Sequence, residues 1–287
     1  MRTIKLTKAG ENFIRSKCSG GGNSKLRGSA SDKKGYKGNP TAVLPYCSPL
    51  TTTSKVWISN PAINGGITTD AQLGEELIRL YNKYAAIYEL DANILVAQAY
   101  QESAFIIWNY AVNSTASGIS QFVASAVYDV IIRNAYGGFT NAERQAITTN
   151  LIGYTFSPTE PPKDPFLVDF ELGRKNRARL HQNMIDNLEI MIKAQFVYMD
   201  FISKRCDKLA SCTLFGYSRG PYLLKEPSSS YSLWVNAAKN RGNSYEDEGI
   251  HYVYRIFSSL YKNFGYKHLD MTKEAAARFD KFNATLG

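Results

Sequence analysis

The chain lacks any long hydrophobic run. Charge or Gly interrupts every apolar stretch well short of the roughly 20 residues a membrane span requires, so no membrane span is expected. No apolar block and no small-residue cleavage site follow the opening "MRTIKLTKAGENFIRSK", so no secretory leader is expected either. Such a chain is expected to be made as a soluble cytoplasmic protein, and to need another carrier if it works beyond a membrane. Histidine is scarce, with three scattered copies. The spacing of Cys206 and Cys212 fits neither a zinc ribbon nor a finger. No metal and no cofactor is therefore expected. With Cys18 and Cys47 there are four cysteines. Two pairs are available, but nothing in a chain of this size requires them, and free or incidentally paired thiols are the expectation.

Acidic charge is also scarce at one end. The formal net charge is +9, and residues 1–40 hold ten Lys or Arg against only Glu11 and Asp32. The remainder is close to neutral. The same segment is rich in Gly and Ser ("SGGGNSKLRGSASDKKGYKGNP"), and such a composition buries too little apolar surface to offset its ordering entropy. It reads as a flexible basic arm. Its partner would be anionic, whether nucleic acid, cell-wall polymer or an acidic protein; a solvated tail, or an arm ordered only by assembly, is the alternative. Residues 41–68, with Pro, Gly, Thr and Ser, read as a linker. The expected division is thus 1–68, arm and linker, and 69–287, the folded domain.

What the chain does have is helical periodicity and aromatics, 19 Tyr among them. Thr69 and Gln72 offer a capping box. Leu73, Leu77, Leu80, Tyr81 and Tyr84 then recur at spacings of three and four. Asp91 is placed to cap a second helix, Ala92 to about Trp108. "VASAVYDVIIRNA" and "NAERQAITTNLIGY" predict two more. "RKNRARLHQNMIDNLEIMIKAQFVYMDFISKRC" predicts one bent helix or two. "SLWVNAAKNR", "IHYVYRIFSSLYKNF" and "TKEAAARFDKF" complete the helical set. There is no Gly-rich phosphate loop, no set of alternating strands and no repeat. The fold class is mainly α.

On the second helix Leu95, Gln98, Ala99, Glu102 and Ile106 share one face, which sets Glu102 on a stripe that packs inward. Desolvation raises the pKa of a carboxyl, and a Glu protonated near neutral pH suits a general acid. The alternatives are a Glu at an exposed last turn or one paired with a basic side chain.

The residues after Glu102 favour the first reading. "QES", a short gap and then "SGISQF" resemble the lytic transglycosylases and goose-type lysozymes, the soluble-transglycosylase-like domains that cleave peptidoglycan. Glu102 and Ser103 match the family's Glu-Ser at a helix end. Gly118, Ile119, Ser120 and Gln121 match its Gly-x-x-Gln turn. The stretch between is shorter than in the commonest members and closer to compact phage versions. "FGYSRGPYL" resembles the Ala-Tyr-Asn-Ala-Gly segment, with Tyr217, Ser218, Gly220 and Pro221; Ser218 in place of Asn and Arg219 in place of Ala depart from it. "EGIHYVYRI" resembles the Glu-Thr-x-x-Tyr-Val segment through Glu248, Tyr252 and Val253, with Gly249 in place of Thr. "NLEIMIKAQFVYM" resembles the intervening helix. The resemblance covers about residues 70–265.

The resemblance implies a lysozyme-like (goose-type) helical domain. In it Glu102 first protonates the oxygen between N-acetylmuramic acid and N-acetylglucosamine, then takes the proton of the muramoyl C6 hydroxyl as a 1,6-anhydro sugar closes. One carboxylate serves both steps, whereas an ordinary retaining or inverting hydrolase needs two. By the same resemblance Ser103, Gly118, Ser120, Gln121, Phe122, Val123, Tyr217, Ser218 and Glu248 bind or orient the saccharide. Asp129 lies a turn or two into the next helix and is not placed in the site. Two other readings stay open: a muramidase or endolysin hydrolysing the same bond, and a virion structural protein keeping an inactive form of the fold. A phage tail or ejection protein, its arm on tail or baseplate partners, would need no export signal because the particle delivers it to the bacterial wall.

Overall fold

The computed structural model describes residues 4–18, 67, 70–105, 107, 116–159, 164, 165, 170–220 and 243–266. They are mainly helical. The helices are α1 (Lys8–Lys17), α2 (Asp70–Tyr88), α3 (Ala92–Ser103), α4 (Ala124–Val127), α5 (Asn141–Thr148), α6 (Phe170–Asp186), α7 (Leu188–Arg205), α8 (Ala210–Arg219) and α9 (Asn243–Phe264). The described residues fall into two compact units. One draws on Met1–Phe13, Tyr81–Gln101 and Tyr198–Gly287, the other on Ile14–Leu80 and Glu102–Val197. Among the described residues no helix is long and apolar enough to cross a membrane.

In the first unit the start of the chain is built into the core. Residues 4–13 of this unit, expected to belong to a flexible arm, enter α1 and bury Leu6 and Phe13; Ile14 and Cys18, on the rest of the 4–18 segment, are buried as part of the second unit. Charge and Gly content dominate the arm as a whole, but Leu6, Gly10, Phe13 and Ile14 follow a helical spacing that those totals conceal. Rings fix the packing: Phe13 meets Tyr100 edge-on at 4.9 Å and Phe264 at 5.0 Å. A β-carbon on Gly10 would collide with Asn93 Oδ1, so the helix approaches only because that residue is Gly.

A buried polar network completes the anchor. Asn93 Oδ1 accepts from the Thr7 amide and hydroxyl, both at 3.1 Å. Its Nδ2 donates to Tyr266 Oη at 3.0 Å, and Tyr266 Oη donates to Asp91 Oδ2 at 2.7 Å. Asp91 also caps α3 as the sequence predicts, accepting from the Asn93 amide at 2.9 Å. Burial pushes the Asp91 carboxyl above its ordinary range, against the pull of these donors. The 19–66 portion of the arm and linker, Thr69 of the expected capping box, and the segments "SLWVNAAKNR" and "TKEAAARFDKF" lie outside the described residues.

The long basic-to-apolar helical stretch is two helices, α6 and α7, broken at Asn187, whose Nδ2 donates to the Asn183 carbonyl at 2.8 Å. In the second unit α5 begins with a capping box between Thr140 and Glu143. Lys193 of α7 closes on Glu143 at 2.8 Å, with both side chains largely buried. Buried Asn176 of α6 accepts from the Ile152 amide at 2.7 Å and donates to the Ile152 carbonyl at 3.0 Å, pinning the loop after α5.

Of the expected free or incidentally paired thiols, one pair is formed. Cys206 and Cys212 form a disulfide across the turn from α7 to α8, and Cys18 is oxidised as well. A loop this short limits the entropic gain to about 2 kcal/mol. The Cys206→Ser/Cys212→Ser double variant is expected to lose about that much unfolding free energy, read from urea midpoints at unchanged slope.

Candidate functional site

Leu95, Gln98 and Ala99 on α3 are fully buried, as their shared stripe predicts. Glu102, one turn further on, is half-buried, and Ile106 lies outside the described residues. The helix stops at Ser103 rather than near Trp108. The reason is backbone geometry: Ala104 and Phe105 take φ of 54° and 63°, a left-handed conformation that costs non-glycine residues on the order of 1 kcal/mol each. Both side chains are fully buried, so packing holds the turn. Glu102 is thereby left on the last turn of a helix whose preceding turns lie in the core.

The segment that holds this helix end is the Gly-x-x-Gln turn. Buried Ser103 donates from Oγ to the Ile119 carbonyl at 2.9 Å. Ser117 and Phe122 pair as an antiparallel bridge, the Ser117 amide donating to the Phe122 carbonyl at 3.0 Å. Gly118 and Gln121 take φ of 75° and 49°. The Gly118 carbonyl accepts from the Gln121 amide at 3.2 Å and from its Nε2 at 2.9 Å. The left-handed φ at Gly118 selects Gly there; a β-carbon would also lie 3.3 Å from Met184 Cε on α6, which would have to shift slightly. Ser117 Oγ meets the Met184 sulfur at 3.4 Å.

Removing the Ser103 hydroxyl would leave the Ile119 carbonyl without this donor. Ser103→Ala is expected to cost about 1–2 kcal/mol in stability, measured by urea unfolding. Ser103→Thr, which keeps the hydroxyl, is expected to lose less.

The remaining site residues of this unit divide by exposure. Ser120 and Phe122 are buried, Gln121 is half-buried and Val123 is 36% exposed. Gln121 does not cap the following helix. Val123 holds that position without a side-chain hydrogen bond. The helix expected over "VASAVYDVIIRNA" is one α-turn, α4, continued by a π-turn at Tyr128–Ile132; π-turns often mark functional sites. Burial, with Asp164 nearby, pushes the Tyr128 hydroxyl up. Asp129 is paired along its own helix with Arg133 at 3.1 Å.

Tyr217, Ser218 and Glu248 belong to the first unit. Tyr217 is half-buried on the last turns of α8, its ring centroid 5.5 Å from that of Tyr198 on α7. Ser218 Oγ accepts from Arg219 Nε at 3.2 Å. Gly220 ends the helix at φ 95°. Glu248 lies on α9, with its side chain outside the described residues. Gly249 beside it, where the resembled segment has Thr, has a packing reason to be Gly. A β-carbon there would sit 2.5 Å from Phe215 Cε2 and 2.9 Å from Arg219 Cγ, both on α8.

One polar contact was not foreseen. Fully buried Gln98 donates to Tyr252 Oη at 3.1 Å, joining α3 to α9. The signal was present, since Gln98 is the one amide on the stripe it shares with Leu95, Ala99, Glu102 and Ile106, and a buried amide needs partners. Among the described residues no group of three His, Cys, Asp or Glu is placed to hold a metal ion. Comparisons with protein-family models, with curated proteins and with solved structures found no match for this chain.

Proposed function

We propose that this chain is a peptidoglycan lytic transglycosylase with a lysozyme-like domain, a phage virion-associated protein that acts on the bacterial cell wall. The single observation that carries the reading is the helix end at Glu102–Ser103, tied through the Ser103 hydroxyl to the Gly118–Gln121 turn. Two short motifs that resemble the family's, separate in sequence, meet at one joint. Glu102 is the acid and then the base. It gives its proton to the glycosidic oxygen as the bond to C1 of N-acetylmuramic acid breaks. Its carboxylate then removes the C6 hydroxyl proton as that oxygen bonds to C1. Gln121 and the exposed Val123, in the same unit as Glu102, border the saccharide, and Tyr217, Ser218 and Glu248 keep the saccharide-binding role that the resemblance gives them.

The pairing of Asp129 with Arg133 supports a mechanism in which Asp129 does not serve as a second acid. The Cys206–Cys212 disulfide supports work outside the reducing cytoplasm. The test is incubation of the protein with purified sacculi. Release of soluble muropeptides ending in 1,6-anhydro-N-acetylmuramic acid is expected. Reducing ends would identify a muramidase instead, and no release would leave a virion structural protein.

A further inference from the structure

The second unit buries a guanidinium for which the described residues supply no carboxylate. Arg144 on α5 is 8% exposed. Its Nε donates to the carbonyl of Ile132, the last residue of the π-turn, at 2.9 Å, and its Nη1 donates to Asn141 Oδ1 at 3.1 Å. The Phe156 ring centroid lies 5.1 Å from its Cζ. Nη2 donates to nothing among the described residues and is not sealed from solvent. Glu143, the acid beside it on the helix, is committed elsewhere: it completes the capping box with Thr140 and holds Lys193 at 2.8 Å. A buried cation without an anion is costly. The unit offsets that cost with a carboxylate at Lys193 and not at Arg144.

A second polar group beside Arg144 is also unmatched. The Tyr154 hydroxyl oxygen, on the loop after α5, is buried and has no hydrogen-bond partner among the described residues. Burial pushes this hydroxyl up and the charge of Arg144 draws it back, so the two groups lie within electrostatic reach. Buried polar groups are nearly always satisfied, and one anion would satisfy both. The guanidinium is already held by Ile132, Asn141 and Phe156, which lowers the cost of ordering it around a ligand. One positive charge and one hydroxyl suit a monoanion, and a guanidinium suits a planar carboxylate. Asp164 acts on Tyr128, and Tyr128 on Tyr154, so a carboxylate already in the neighbourhood disfavours a dianion such as phosphate. We propose that Arg144 and Tyr154 form a site for a monocarboxylate, one oxygen accepting from Arg144 Nη2 and the other from the Tyr154 hydroxyl, whose half-buried ring turns outward as the ligand enters. The site uses none of the residues assigned to the saccharide, and the proposal is independent of the activity assigned to Glu102.

Two-dimensional NMR of the full oxidised chain, titrated with sodium acetate against sodium chloride at fixed ionic strength, tests it. Saturable shifts centred on α5 and the loop after it are expected, with a Kd of about 1–10 mM, in keeping with so small a ligand. Arg144→Met is expected to weaken acetate binding at least about tenfold, the size of a lost charge-assisted hydrogen bond. Tyr154→Phe is expected to weaken it about fivefold; it removes a hydroxyl that bonds nothing in the free protein, so folding is expected to be untouched. Sodium phosphate is expected to bind more weakly than acetate. N-acetyl-Ala-Ala with a free carboxyl is expected to bind, and its amide is not. Tighter binding of that peptide than of acetate would identify a peptide end as the source of the carboxylate, and equal binding a small free acid. Absence of saturable shifts with acetate, unchanged affinity in either variant, or equal binding of the amide overturns the proposal.

Discussion

Replacing Glu102 by Gln is expected to lower muropeptide release from sacculi by about a thousandfold, within the range for loss of a positioned general acid. The substitution is nearly isosteric at a half-buried position, so unfolding free energy is expected to change by no more than about 0.5 kcal/mol. The split between the two readouts is the informative part. A residue that only closed a helix would move stability and leave the chemistry; a lone acid and base does the reverse. Asp129→Asn provides the contrast. Its carboxylate serves an exposed pair with Arg133, and release is expected to stay within about twofold, because exposed pairs contribute little.

The second large effect is in packing. Placing Thr at Gly249, as in the segment it resembles, is expected to destabilise the chain by about 3 kcal/mol, the upper part of the range for overpacking. The added β-carbon would meet Phe215 at 2.5 Å, and Phe215 is fully buried with nowhere to move. Arg219, at 2.9 Å, is on the same helix as Tyr217. Urea unfolding of Gly249→Thr, Phe215→Ala and the double variant reads the contact directly. If the clash is the cause, the two penalties will not add, since the smaller residue leaves room for the Thr. Additive penalties would place the effect elsewhere.

The parts of this fold that were legible in the sequence are those governed by local periodicity. The buried stripe of Leu95, Gln98 and Ala99, the cap at Asp91 and the mainly helical class follow from spacing and side-chain chemistry. The departures have a common physical origin in long-range contacts. The second helix ends at Ser103 because buried Ala104 and Phe105 hold left-handed backbone, which no propensity of Ala or Phe foretells. The start of the chain docks because Gly10 admits Asn93 and because Thr7, Asn93, Tyr266 and Asp91 satisfy one another across the unit. A segment judged by charge and Gly content alone conceals such partners. The departure at Gly249 was visible in the sequence, but its reason, the ring of Phe215 on another helix, was not.

For the site, the Glu-Ser and Gly-x-x-Gln signals were readable one by one. Their junction through the Ser103 hydroxyl and the Ile119 carbonyl is a matter of three dimensions.

The most direct measurement is digestion of sacculi in heavy-oxygen water, with mass analysis of the muropeptide ends. If Glu102 alone passes the proton and the C6 oxygen closes the ring, the newly formed ends carry no label from solvent. Heavy oxygen at C1 of the released N-acetylmuramic acid would mean that water attacked there, and would contradict the account.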